Sequence, residues 1–206
     1  MTHEIYLFGS VTRGEVSASS DVDVLVVPLG EYDRTQYPRE WSVYSRETIQ
    51  EYFDKGRLFA WHLSLEAKCV FTPFARPWLD LLGQPAGYSS VRQDVDELQS
   101  LLRQSLDELR AGTKSVIYEL GICYTAVRDI AMSVSWAWDG RPNFSRMAPF
   151  ELSVQCPVAP SSYGIAMGAR HASARGAPMP AGLEAARRDF LSAPFDEWIS
   201  RLAERL

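Results

Sequence analysis

The sequence predicts an α+β chain, a small sheet with flanking helices followed by an antiparallel helical bundle. Up to about residue 75, short apolar runs rich in valine and aromatic residues alternate with Gly-, Ser- and Pro-containing turns, which is the signature of strands. Further along, the apolar period lengthens to three or four and holds over two long stretches, which is the signature of amphipathic helices. The change of period sets two expected domains, residues 1–86 and 87–206.

Taken in order, "EIYLF" reads as a first strand running into Gly9 and Ser10, and the polar loop "EVSASS" returns the chain to a second strand, "DVDVLVV". After the turn-like "EYDRTQYP", "EWSVYS" (40–45) reads as a third strand. "SRETIQEYFDKG" is a helix capped by Ser45 and stopped at Gly56. "LFAWHLSLEAKCVF" passes from mixed sequence into a last strand, "AKCVF", and a short helix follows inside "TPFARPWLDLLGQP". The first long helix runs from Ser90 to Arg110 on Val91, Val95, Leu98, Leu102, Leu106 and Leu109. The second runs from Ser115 to Trp138 on Val116, Leu120, Cys123, Val127, Ile130, Val134 and Trp138, and the two are expected to pair antiparallel. The segment "CPVAPSS" separates them from shorter helices around "SSYGIAMGARHASA" and "FDEWISRLAERL".

Composition narrows the function classes. With 206 residues and 46% apolar content the chain can bury an ordinary core. A net charge of −5, with no long basic patch, argues against general nucleic-acid binding. Cys69, Cys123 and Cys156 are too few and scattered for a disulfide framework or a zinc site, so a reducing cytoplasm is the expected location. "MTHEIYLF" enters strand-like sequence directly and no stretch is apolar enough to span a bilayer, so neither a secretory signal nor a membrane anchor is expected.

The chemistry concentrates in "YLFGSVTRGEVSASSDVDVLVV". Alternation points Asp21 and Asp23 one way while Val22, Val24 and Val26 point the other. Two carboxylates on one strand edge need a cation, and hard oxygen donors suit magnesium, which takes one or two protein carboxylates with waters and substrate phosphates. Gly9 permits a tight turn with close backbone approach, Ser10 offers a hydroxyl and an N–H, and Arg13 adds a fixed positive charge, which together make a phosphate cradle.

Gly-Ser, Arg-Gly-Glu and Ser-Asp-Val-Asp at this spacing resemble the signature of the polymerase-beta-like nucleotidyltransferase superfamily, especially its minimal nucleotidyltransferases. The resemblance covers roughly the first 75 residues and implies a small mixed sheet with flanking helices. It implies that Gly9, Ser10 and Ser20 bind a nucleoside triphosphate with Arg13 nearby. It also implies that Asp21 and Asp23 hold two magnesium ions for in-line transfer of a nucleoside monophosphate to a hydroxyl. A third carboxylate normally lies on the next strand, where this chain carries Ser42 and Tyr44. Glu40 at that strand's first residue, Glu66 in "HLSLEAKCVF", or no third acid at all remain as alternatives. Glu66 is closer to a glutamate that precedes the last strand in many such domains, where it is not a metal ligand.

A nucleotidyltransferase domain followed by an antiparallel bundle resembles the fused arrangement with HEPN-type helical domains. Ribonuclease members carry an arginine followed four to six residues later by a histidine on a bundle helix. Arg128 in "AVRDIAMSVSW" has no such histidine, and the spacing match Arg57 with His62 falls in the first domain, so RNA cleavage is not expected. His62 is expected to be packed and hydrogen-bonded, His171 to be solvated in a Gly- and Ala-rich region, and Trp136, Trp138 and Phe144 to serve a core or interface. Arg128 and Asp129 read equally as a pair facing a nucleotide and as an ordinary surface pair.

Two functions follow. In one, the chain is an enzyme whose helical half closes over the site and chooses a small-molecule, protein or RNA-end acceptor. In the other, the fold is a catalytically weak or silent binding module, such as an antitoxin-like or regulatory partner. Exposed helices with tryptophans also suit a homodimer.

Overall fold

The computed structural model describes residues 3–16 and 22–206. Two compact units divide the chain, Met1–Ser89 and Ser90–Leu206. The first holds a four-stranded mixed sheet and the second is helical, so the α+β class expected from the sequence is observed.

In the first unit, β1 (His3–Phe8) pairs antiparallel with β2 (Asp23–Pro28), and β2 pairs in parallel with β3 (Ser42–Val43). On the other side of β1 lies β4 (Lys68–Phe71), antiparallel, giving the order β3-β2-β1-β4. A single helical turn, α1 (Ser10–Arg13), follows β1 directly. Two helices then supply the layer against the sheet: α2 (Arg46–Asp54), where Ser45 Oγ accepts from Thr48 N at 3.2 Å as the expected cap, and α3 (Leu58–Glu66).

Strand alternation decides what each face buries. Tyr6, Phe8, Leu25 and Val27 pack with Ile49 and Phe53 of α2, Ala60 and Leu63 of α3, and Leu79 of the short α4 (Leu79–Leu82). Val24, Val26 and Val43 form the opposite face with Ile5, Leu7, Tyr37 and Trp41. By the same alternation Asp23 shares the face of Leu25 and Val27, at the end of the row.

One buried charge is built into this core. Glu4 is fully buried in β1, where Oε1 accepts from Thr72 Oγ1 at 2.6 Å and from Trp78 N at 3.1 Å, and Oε2 accepts from Arg46 Nη2 at 3.2 Å. The Arg46 guanidinium lies over the Phe74 and Trp78 rings, 5.3 and 5.1 Å from their centroids. Nearby, the Tyr6 hydroxyl accepts from Leu79 N at 3.2 Å, and burial raises its pKa well above the usual tyrosine range. These bonds fasten the segment after β4 across the end of β1.

The helical unit is built on α6 (Val116–Asp139), packed by α5 (Val91–Arg110), α7 (Ala148–Glu151), α8 (Pro160–Arg175) and α9 (Leu183–Ser192), with α10 (Phe195–Ala203) last. Residues 111–115 join α5 to α6, a connection short enough to force a helical hairpin. Leu120, Cys123, Val127, Ile130 and Val134 of the expected stripe are fully buried, and so are Ala126 and Ala131, because α6 is covered on several sides. A β-carbon on Gly121 would lie 2.9 Å from Arg170 Cα, so α6 and α8 touch backbone to backbone there.

The structure differs from the sequence expectation in four elements, one of them the unexpected short α7. The third strand is two residues long instead of six, α3 replaces the mixed run ahead of β4, and α9 follows the Gly- and Pro-containing stretch 176–182. Among the described residues, no helix is long and apolar enough to cross a membrane.

Two stability outcomes follow from this packing. Glu4→Ala strips three donors of their shared acceptor and should lower urea-unfolding stability by roughly 3 kcal/mol, with Glu4→Gln costing less. Gly121→Ala forces backbone apart and should cost about 1–3 kcal/mol, read as a lower thermal midpoint with little change in helical circular dichroism.

Candidate active site

The site begins where β1 ends. Phe8 stands opposite Asp23 in the antiparallel ladder, so the residue after Phe8 turns beside the Asp23 side chain. That residue is Gly9, at φ 77° and ψ −152°, a conformation essentially reserved for glycine. A β-carbon built on Gly9 would sit 2.2 Å from Asp23 Oδ2. The absence of a side chain is therefore what lets the backbone and the carboxylate approach.

From Gly9 the chain enters α1. Thr12 N and Oγ1 both donate to Gly9 O, at 3.1 and 2.8 Å, and Glu15 N donates to Ser10 O at 2.9 Å, which closes the turn. Ser10 is buried at its start and Arg13 is its last residue. Ser20 and Asp21, both expected in the site, lie outside the described residues. Asp23 is half-buried as the first residue of β2.

Arg13 lies within an ion cluster. Its Nη1 donates to Glu66 Oε2 at 2.6 Å and its Nη2 to Glu15 Oε2 at 3.0 Å. Burial pushes the guanidinium pKa down, while the two carboxylates more than offset this and hold it above the usual arginine range. Glu66 closes α3, and the same Oε2 lies 2.9 Å from His62 Nε2 one turn earlier. The His62 ring packs edge-on to Phe8 at 5.2 Å, so the histidine is packed and hydrogen-bonded as expected.

Glu40 occupies an exposed turn before β3, not the first residue of a strand. Arg34 fixes that turn: Nη1 donates to Tyr37 O and Pro38 O, and Nη2 to Arg39 O and Trp41 O, at 2.7 to 3.1 Å. In the parallel register Leu25 lies opposite Ser42, and two residues back along both chains are Asp23 and Glu40. The ladder stops at Ser42, so Glu40 is level with Asp23 in sequence offset without being paired to β2.

A set of three or more metal-ligating side chains is not assembled among the described residues. What they provide for a hard cation is the Asp23 carboxylate, whose oxygen donors are of the kind magnesium takes, held close against the Gly9 backbone. Hollows of about 630 Å³ at Pro28–Tyr32 and Ser45–Glu47, and of about 500 Å³ around Cys156, Trp198 and Arg201, involve other residues.

Elsewhere, His171 is buried in α8, contrary to the solvated position expected for it, because residues 160–175 continue as one helix. Arg128 pairs with Asp129 at 2.7 Å and lies over the Tyr124 ring at 5.6 Å. Phe144 is buried and Trp138 lies 4.2 Å beneath the Arg205 guanidinium. The cysteines are free, and burial pushes the Cys123 thiol up to about 12 and Cys156 to about 11, which makes both poor nucleophiles. Sequence reasoning missed Glu15 as a partner of Arg13; its position two residues after the arginine was the available signal.

Gly9→Ala should cost about 1–3 kcal/mol in stability from backbone strain alone and displace the Asp23 carboxylate. A lower thermal midpoint that Asp23→Ala partly restores in the double variant would verify the clash.

Comparison with known proteins places this geometry in context. A search of curated proteins returns no match. The family model described as "Nucleotidyltransferase domain" matches residues 2–79, the stretch that contains Gly9, Asp23, Glu40 and the Arg13 cluster.

Proposed function

We propose that the first unit is a magnesium-dependent nucleotidyltransferase that moves a nucleoside monophosphate from a nucleoside triphosphate to a hydroxyl acceptor. The observation that carries this reading is the close approach of the Asp23 carboxylate to Gly9, a glycine-only turn, in the stretch matched to the nucleotidyltransferase domain.

In the reaction, the acceptor oxygen bonds to the α-phosphorus, the bond from that phosphorus to the bridging oxygen breaks, and pyrophosphate leaves with the electron pair. The acceptor proton passes to a carboxylate or to solvent. Two magnesium ions, held by Asp21 and Asp23, would supply charge stabilisation for the attacking and leaving oxygens. Gly9 and Ser10, with Ser20, would receive the triphosphate, and Arg13 would balance its charge. Glu40, in the turn that Arg34 holds and level with Asp23 in sequence offset, would serve as the third acid of this reading.

A catalytically weak or silent binding module of the same fold, regulatory or antitoxin-like, is the second reading. It is favoured by the exposed turn position of Glu40 and by the two carboxylates already on Arg13.

Calorimetric titration with ATP, GTP, CTP and UTP, with and without magnesium, followed by a pyrophosphate-release assay, separates the two. The enzyme reading predicts magnesium-dependent binding and release. Asp23→Asn should then reduce release about a hundredfold or more, the scale of removing one group that stabilises transition-state charge. Binding without release for any hydroxyl acceptor supplied favours the module, and no binding refutes the enzyme reading and favours a partner-binding module that keeps only the fold.

A further inference from the structure

We propose that Glu15 is a carboxylate stand-in for phosphate on Arg13, displaced when a triphosphate binds, and that Glu66 is the positioning residue that holds Arg13 through the exchange. This rests on the nucleotide reading above and adds a built-in competitor to that site.

The two carboxylates use different nitrogens of one guanidinium, Glu66 on Nη1 and Glu15 on Nη2. Carboxylate and phosphate oxygens present the same acceptor chemistry to an arginine fork, so one can take the other's place. Burial separates their roles. The Glu66 side chain is 10% exposed and the Glu15 side chain 36%.

Their attachments separate them further. Glu66 ends a nine-residue helix, meets His62 Nε2 at 2.9 Å through the oxygen that binds Arg13, and through His62 is packed on Phe8 of β1. Moving it would disturb α3 and the sheet together. Glu15 stands in irregular chain just after Gly14, a left-handed cap at φ 78° with open space around it. An ion pair with a partly exposed member is weak and readily exchanged. The Arg13 Nε, buried and without an acceptor among the described residues, is left over by the two carboxylates.

The two glutamates therefore act in opposite directions on affinity. Wild type, Glu15→Gln, Glu66→Gln and Glu66→Asp, each as the whole 206-residue chain, would be titrated with each magnesium–nucleoside triphosphate and, separately, with inorganic tripolyphosphate. Glu15→Gln should bind both kinds of probe about 3-fold tighter, since it removes one competing charge. Glu66→Gln should bind about 10-fold weaker, and Glu66→Asp, which keeps the charge and protects against misfolding as the explanation, should recover part of the loss.

Equal or weaker binding by Glu15→Gln overturns the stand-in, and unchanged binding by Glu66→Gln overturns the positioning role. Nucleotide binding by wild type with neither response removes this inference and leaves the nucleotide reading standing. No binding of any probe by wild type or any variant overturns both.

Discussion

Phe8 stands opposite Asp23, and the arrangement of the first unit depends on that single register. A shift of one residue would turn Asp23 to the other face and bury a carboxylate among Ile5, Leu7 and Val43. In the register observed, β1 ends one residue before a glycine whose backbone no other residue readily adopts, and the strand that returns begins with a carboxylate. From Gly9 the turn of α1 carries Arg13 to Glu66 at the end of α3, so sheet, turn and helix meet in one charged cluster. Glu4 acts at the opposite end of β1, where Thr72 and Trp78 tie it to the segment after β4 and Arg46 ties it to α2.

Much of the sheet could be read from the sequence because its strands obey a period of two. Val24 and Val26 do share a face, and Asp23 does fall on the other with Leu25 and Val27. The third strand is shorter than its sequence pattern implies because the chain before Ser42 is held by Arg34, whose bonds to four carbonyls are side-chain contacts that residue periodicity does not encode. Helix α3 was hidden for a related reason: "LFAWHLSLE" is apolar on nearly every side, so it has no stripe to detect. In α9, a preceding run of glycine and proline masked a regular ten-residue helix.

The site was legible in its local part and opaque in its long-range part. The closeness of Gly9 and Asp23 follows from a turn and a strand that are near in sequence. The partnership of Arg13 with Glu66 spans 53 residues and depends on where α3 ends, which no local pattern specifies. In the helical unit, the stripes of α5 and α6 are visible, whereas the Gly- and Ala-rich α8 has no clear apolar stripe to mark the side on which His171 is buried.

The central claim is that triphosphate and metal meet at Gly9 and Asp23. Crystals grown with manganese and a nucleoside triphosphate analogue whose α–β bridge cannot be cleaved would test it most directly, with anomalous scattering locating the metal. The account predicts a manganese peak bonded to Asp21 and Asp23, with the triphosphate against Gly9 and Ser10 and a phosphate oxygen on Arg13. Manganese peaks confined to other residues, or a triphosphate bound away from Gly9, would contradict it.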